Sequence, residues 1–391
     1  MKLYNIFLVL DSRGTEDSAS SMWLRNLYEP LIELGHKVSL FDIKQSSILK
    51  NNTRESSQDT KQRITEEIYN AFYTKHNNDK YDIFFSYLHS GNVYPNLFEK
   101  IKQHVFTVNY TTNYHQFEMY KEIAQIVDLN IFVSQIAKAG FCELNAQAYW
   151  MPFAANPHFY KPSKEKSLDI TFAGQAYGNR PYYIWRIFQS GLALDIFGAG
   201  WVNNENSCQD SMKRKIKEIL QEIGLDVKKH KKMSSADKLR EMDRRMRQMI
   251  IDNICLNYPS SIHGVLSDND YVSRISNSKI VINIAESRFN HDYMNNRVLM
   301  ASNLRDYEVT MCGSFLCTQY SDEIAKMYDV GKEICCFHNE YDLIEKLHYY
   351  LKHEREREAI AASGHLRAQN EHTWKKRFET FFRYLSDNGN I

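Results

Sequence analysis

Short apolar runs alternate with amphipathic stretches along most of the chain. "YNIFLVL" (4–10) reads as a strand, "SMWLRNLYEPLIELG" (21–35) as a helix closed by Gly35, and "KVSLFDI" (37–43) as a second strand. After a polar helical stretch come "YDIFFSYL" (81–88), "VFTVNY" (105–110) and "LNIFVS" (129–134), each followed by a helical pattern. Strands separated by helices of this length pair in parallel, and a parallel sheet is covered on both faces. The rhythm breaks at "FAANPHFYKPSKEKS" (153–167), where two prolines and a charged run mark a linker. It restarts with "LDITFAG" (168–174), a helix from about Arg180, and "ALDIFGAG" (193–200). "KIVINIA" (279–285), "SFLCT" (314–318) and "EICCF" (333–337) follow, and the end is helical from Glu340 to about Leu385. The pattern predicts an α/β protein of two Rossmann-like, doubly wound parallel-sheet domains facing a cleft. The expected domains are 1–155 and 167–372, with a C-terminal helix, about 373–391, able to pack back on the first.

Composition supports two cores. The chain has 391 residues, 13% of them aromatic. Lys plus Arg is 49 and Asp plus Glu is 48, so no global charge draws it to nucleic acid or to an anionic membrane. The seven cysteines show neither a C-x-x-C pair nor zinc spacing, which fits reduced thiols in a cytoplasmic protein. The first apolar run ends in a charged loop and is expected to be a strand rather than a secretory leader. No stretch approaches the roughly 18 apolar residues of a spanning helix.

The charge imbalance is local. Between Met212 and Ile250 there are 13 Lys or Arg against 6 Asp or Glu, densest at "KKHKK" (228–232) and "RRMRQ" (244–248). This basic helical insertion, about 207–256, reads as a solvated helix face or as a docking surface for an acidic acceptor, nucleic acid or membrane.

Ligands of parallel α/β sheets bind at the carboxyl ends of strands, where helix N-termini present N–H groups to anions. In "FAGQAYGNRPYY" (172–183), Gly174 allows the backbone to approach a phosphate, and Tyr177 and Arg180 lie just beyond. Arg180 is either a bidentate grip on a diphosphate or a surface arginine at a helix start. "IFGAGW" (196–201) is either a tight turn or a ligand loop in which Trp201 offers a stacking surface. In "NLRDYEVTMCGSFLCTQ" (303–319), Asn303 is a candidate cap that sets Arg305 and Glu308 on one face near the helix's positive end. A carboxylate there suits vicinal ribose hydroxyls and an arginine suits a pyrophosphate. An i,i+3 salt bridge accounts for the same spacing. In the first half, Asp11, His89 and His115 stand at strand ends as candidates for the base that activates an acceptor.

Four blocks, "NSKIVINI", "NLRDYEVTMCGSFLCTQYSDEI", "YDVGKEICCFHNEYDLIEKLHYYLKHEREREAIAASG" and "HTWKKRFETFF", resemble the C-terminal domain of the CgeB-like, spore-maturation type glycosyltransferases. The resemblance is strongest over about 279–382 and loose in the N-terminal half. It implies a GT-B fold and a nucleotide-sugar donor held by the C-terminal domain. By this resemblance Glu308 stands where relatives hold the ribose, and Arg305 where they carry the preceding arginine. Neither a cofactor nor a bound metal is implied. Many relatives carry a second glutamate eight residues before the ribose one, where this chain has Met300. The expected function is transfer of a sugar to an acceptor glycan, lipid or protein in a surface-polysaccharide, glycolipid or glycoprotein pathway. Two alternatives remain: a phage-type enzyme glycosylating modified DNA bases, with nucleic acid bound through 212–250, and a non-catalytic sugar-nucleotide-binding or assembly protein.

Overall fold

A computed structural model describes residues 2–11, 22–45, 57–112, 117–201, 235–292 and 297–389. The chain forms two compact units. The first comprises Met1–Lys161, Ser302–Met311 and Leu366–Ile391, and the second Pro162–Ala301 and Cys312–His365.

The first unit is built on six parallel strands: β1 (Asn5–Leu10), β2 (Lys37–Asp42), β3 (Ile83–Ser86), β4 (Phe106–Thr111), β5 (Leu129–Phe132) and β6 (Ala148–Trp150). Their order is β2-β1-β3-β4-β5-β6. The inner strands are apolar throughout because both faces are covered. On one face lies the helix Ser57–Asp79, which buries Ile64, Ile68 and Phe72 against Phe7 and Phe84.

Aromatic side chains of the opposite face meet the terminal helix Trp374–Asp387. Its Trp374, Phe378, Phe381, Phe382 and Leu385 recur at helical spacing and are all fully buried. Phe85 packs edge-on to Phe378, Tyr149 lies 5.4 Å from Phe381, and Tyr4 stacks on Phe382 at 5.4 Å. Thr373 caps this helix through the Lys376 amide, and Arg377 donates to the carbonyls of Pro152 and Phe153. The helix Leu304–Met311 joins the same cluster. Tyr307 packs edge-on to His372 and beneath the Arg377 guanidinium. These contacts group residues 302–311 with the first sheet, whereas the expected span 167–372 keeps them with the second.

The second unit holds five parallel strands: β7 (Leu168–Ala173), β8 (Asp195–Phe197), β9 (Ser278–Asn283), β12 (Phe315–Gln319) and β13 (Cys335–Phe337), ordered β13-β12-β9-β7-β8. An antiparallel pair, β10 (Glu286–Asp292) and β11 (Arg297–Met300), follows β9. Ile170, Phe172, Ile280, Ile282, Phe315 and Phe337 form the core with Ile184 and Ile187 of the helix Arg180–Gln189. The described part of the basic insertion is a helix, Ser235–Asn257, that contributes Ile251 and Ile254 to buried packing. Residues Lys228–Lys232 lie outside the described residues.

In each sheet the strand order reverses beside the unit's first strand, between β1 and β3 and between β7 and β9. The connections there leave in opposite directions, so a crevice opens at the carboxyl ends of those strands.

Candidate active site

At the second sheet's reversal the carboxyl rim is laced together by backbone. Gly174 N donates to Phe197 O at 2.7 Å, Ala176 N to Ala199 O at 3.0 Å, and Gly198 N to Gly264 O at 2.6 Å. Gly198 has φ +137°, and a side chain there would collide with the Gly174 carbonyl. The two glycines therefore let the loops after β7 and β8 lie against each other, a tighter requirement than a simple turn.

Trp201 sits beneath this lacing rather than on top of it. Its indole is fully buried, its Nε1 donates to Gly174 O at 2.7 Å, and its ring meets Phe172 edge-on. The expected stacking surface is thus corrected: the ring braces the Gly174 loop from below and shows no face to a ligand.

Arg180 stands at the point of reversal. Its Nε and Nη2 donate to Ile284 O at the end of β9, at 3.2 and 3.1 Å, and Nη1 donates to Gln175 O at 3.3 Å. The guanidinium also lies 4.0 Å from the Tyr177 ring centroid and is 4% exposed. It is not an exposed arginine at a helix start. It ties two strand ends together and brings a full positive charge beneath the rim. The helix that begins at Arg180 carries Pro181 in its first turn and no side-chain cap on Asn179, so its positive end is not answered by its own cap residue.

Sequence reasoning missed a hydrogen-bonded pair one strand over. His263 Nε2 lies 2.6 Å from Asp195 Oδ1, and the ring stacks on Phe197. Nothing in the spacing of residues 195 and 263 signals it. Among the described residues, no group of three His, Cys, Asp or Glu is arranged to hold a metal ion.

In the first unit Asn303 caps its helix as expected. Its Oδ1 accepts from Arg305 N at 3.0 Å, while Asp306 Oδ2 accepts from Asn303 N at 2.9 Å, a reciprocal capping box. Glu308 is 5% exposed, and its Oε1 accepts a 2.6 Å hydrogen bond from the Tyr160 hydroxyl. Tyr160 was not anticipated, since it lies 148 residues earlier in the chain.

The first sheet's reversal places Asp11 at the end of β1 and the Tyr87–His89 loop at the end of β3. Asn109, a buried polar residue in an apolar strand, pins that loop: its Oδ1 accepts from Ser86 Oγ and Leu88 N, and its Nδ2 donates to Leu88 O. Its place within "VFTVNY" was the readable signal. Tyr87 shares a 2.7 Å hydrogen bond with Thr112, and Trp23 and Tyr110 pack edge-on to its ring. Burial pushes the phenols of Tyr87, Tyr110 and Tyr120 up, so they remain neutral hydroxyls.

His89 Nδ1 accepts from the Gly91 amide at 3.0 Å. A neutral imidazole so held carries its proton on Nε2 and offers a donor there, so a role as base would require losing the Gly91 bond. His115 lies outside the described residues, and the Met300 side chain is likewise undescribed.

Two Rossmann-like parallel-sheet units of this kind are the architecture of the GT-B glycosyltransferases. Residues 233–383 match the family model described as "Glycosyl transferase-like". Among solved structures, sucrose-phosphate synthase from Thermosynechococcus elongatus is similar at 10% identity and a TM-score of 0.61, with 99% of this chain and 100% of that one covered. HepE from Anabaena, in complex with UDP and glucose, is similar at 10% identity and a TM-score of 0.58, covering 98% and 99%. A glycosyltransferase from Rickettsia africae is similar at 11% identity and a TM-score of 0.57, covering 100% of both chains. No curated protein matches the chain by sequence.

Proposed function

We propose that the chain transfers a sugar from a nucleotide-sugar donor to a hydroxyl acceptor of a glycan, glycolipid or glycoprotein. A shared fold does not select a reaction. The observation that carries the reading is the match of residues 233–383 to a glycosyltransferase-like domain. It is supported by the rim of the second sheet, whose features suit a diphosphate.

In this reading Gly174 keeps the approach to the rim clear of a side chain. The positive end of the helix Arg180–Gln189 and the braced charge of Arg180 offset the negative charge that grows on the departing diphosphate. Because Arg180 is already fixed by Ile284 and Gln175, little reorganisation is needed as that charge develops. Glu308, oriented by Tyr160, is the proposed acceptor of hydrogen bonds from the donor's ribose hydroxyls. Asp11, at the end of β1, is the proposed base for the acceptor hydroxyl.

A thermal-shift screen against UDP-, GDP-, TDP- and CMP-sugars tests the reading. One nucleotide class should raise the melting temperature, since a ligand bound only by the folded state stabilises it. HepE was solved with UDP and glucose, so UDP-sugars come first. Slow release of free nucleotide from the stabilising donor separates an enzyme from a binding protein. Absence of any shift and of any release would overturn the proposal. Glu308→Gln should weaken donor binding about tenfold or more, the value of hydrogen bonds to a charged acceptor. Unchanged affinity by calorimetry would remove Glu308 from the donor site.

A further inference from the structure

In the first unit a cavity of about 300 Å³ opens between the helix Ser57–Asp79 and the short helix Asn96–Ile101. None of the crevice residues Asp11, Tyr87 and His89 lines it. Both walls are fixed by packing. Leu97, Phe98 and Ile101 are fully buried in one core cluster with Ile64, Ile68 and Phe72 of the longer helix. Thr65 Oγ1 accepts from the Tyr94 amide at 3.0 Å while donating to Lys61 O at 2.7 Å. The Lys61 ammonium lies 4.0 Å from the Tyr94 ring centroid. The entry to the short helix is therefore tied to the long one, and the cavity sits between packed elements rather than on a loop.

Gln62, Glu66, Tyr69 and Asn70 line it from the long helix, and Asn96 and Lys100 from the short one. Gln62 Nε2 donates to Glu66 Oε1, which orients both side chains. Lys100 Nζ stands 5.1 Å from the Tyr69 ring centroid. Asn70 and Asn96 are exposed, so each carboxamide offers donors and an acceptor to whatever enters. The charges balance, one carboxylate against one ammonium.

That lining selects the occupant. A phosphate would meet Glu66 as well as Lys100 and gain no net attraction. A metal ion would find a single carboxylate, too few ligands to hold it. An acyl chain would strip water from several amides and give them no partner. An extended peptide seeks a sheet edge, and both walls here are helices. A sugar ring answers both parts of the lining: its hydroxyls donate and accept at the rim, and its C–H face is apolar. The amides, Glu66 and Lys100 serve the hydroxyls, and Tyr69 supplies the aromatic surface. On the other flank of the long helix a second cavity, about 610 Å³, shares Glu66 and Asn70 with the first and has Phe41 in its wall. The two adjoin at those side chains, so consecutive residues of one sugar chain can occupy both.

We propose that this face of the first unit is a glycan-binding site that takes consecutive residues of a neutral oligosaccharide. It holds the glycan without reacting with it, since no crevice residue borders it. Binding needs no nucleotide and stands or falls separately from sugar transfer.

The test is saturation-transfer NMR of the whole chain, without nucleotide, against trisaccharides of glucose, galactose, mannose and N-acetylglucosamine and the matching methyl monoglycosides. One trisaccharide should bind with a millimolar Kd, about tenfold tighter than its monoglycoside, because the second cavity adds contacts to a ligand already held by the first. Glu66→Ala with Asn70→Ala should weaken it about tenfold. Both side chains are exposed, so the melting temperature should stay where it is. Tyr69→Ala should weaken binding as far, with the melting temperature followed because its ring packs on the core cluster. No signal from any trisaccharide overturns the proposal, as does an affinity that the Glu66 and Asn70 pair leaves unchanged. Loss of the signal in Asp11→Asn overturns it too, by placing the sugar in the crevice. Inorganic pyrophosphate that displaces the sugar would overturn it by reassigning the cavity to anions.

Discussion

His36 packs against the rings of both Tyr4 and Phe382, 3% exposed, with Nδ1 accepting the Tyr4 amide at 3.1 Å. Burial lowers its pKa from 6.5 to about 4. The unfolded chain therefore takes up this proton first. Stability from this group is fully present above about pH 6.5 and is lost as pH falls toward about 4. The fall from 6.5 to about 4 corresponds to about 3 kcal/mol at full amplitude. Urea midpoints measured from neutral pH downward should fall through this window, and His36→Leu should flatten the profile. Equal slopes would refute the assignment. Two glycines separate strain from collision in the same way. Gly331, at φ +88°, has nothing within 4 Å of an added Cβ, whereas Gly198 would strike the Gly174 carbonyl. Gly331→Ala should cost about 1 kcal/mol and Gly198→Ala about 3 kcal/mol or more, read from denaturant melts.

At the scale of elements, strands were the most legible feature. A parallel sheet buried on both faces writes itself as unbroken apolar runs, and β1, β3, β7 and β9 lie where such runs stand. The terminal helix was legible for a related reason: its aromatic residues recur at 374, 378, 381, 382 and 385, one face of a helix. Phe381→Ala should cost about 3–5 kcal/mol in chemical denaturation, because the cavity would open among Phe85, Tyr149 and Phe382. The antiparallel pair β10–β11 was missed. Its first strand, "ESRFNHD", has neither the alternation nor the apolar run of a strand. The candidate site was legible in position but not in direction. Gly174, Arg180 and Trp201 gather at one rim, yet an aromatic beside glycines looks the same in sequence whether it faces solvent or core. Tyr160 beneath Glu308 was hidden because sequence spacing reports neighbours within an element and not partners 148 residues apart.

At the scale of the whole molecule, the first unit is not a continuous stretch. It comprises Met1–Lys161, Ser302–Met311 and Leu366–Ile391. Residues 1–161 alone would leave Tyr4, Phe85, Tyr110 and Tyr149 without the helix that covers them. That fragment should keep helical far-UV signal but lose near-UV aromatic structure and bind a hydrophobic dye, as packing-deficient compact states do. A fragment with native near-UV signal would show that the last segment is an appendage. Among the described residues no helix is long and apolar enough to cross a membrane.

The late helix also fixes an order of events in the cell. The first sheet leaves the ribosome well before its covering side chains, Trp374 to Leu385, are made. At about 5–20 residues per second, roughly 10 to 50 seconds separate the synthesis of the sheet from that of its cover. For that interval the nascent chain displays an aromatic sheet face to chaperones, and ribosome stalling before Trp374 would strand it there.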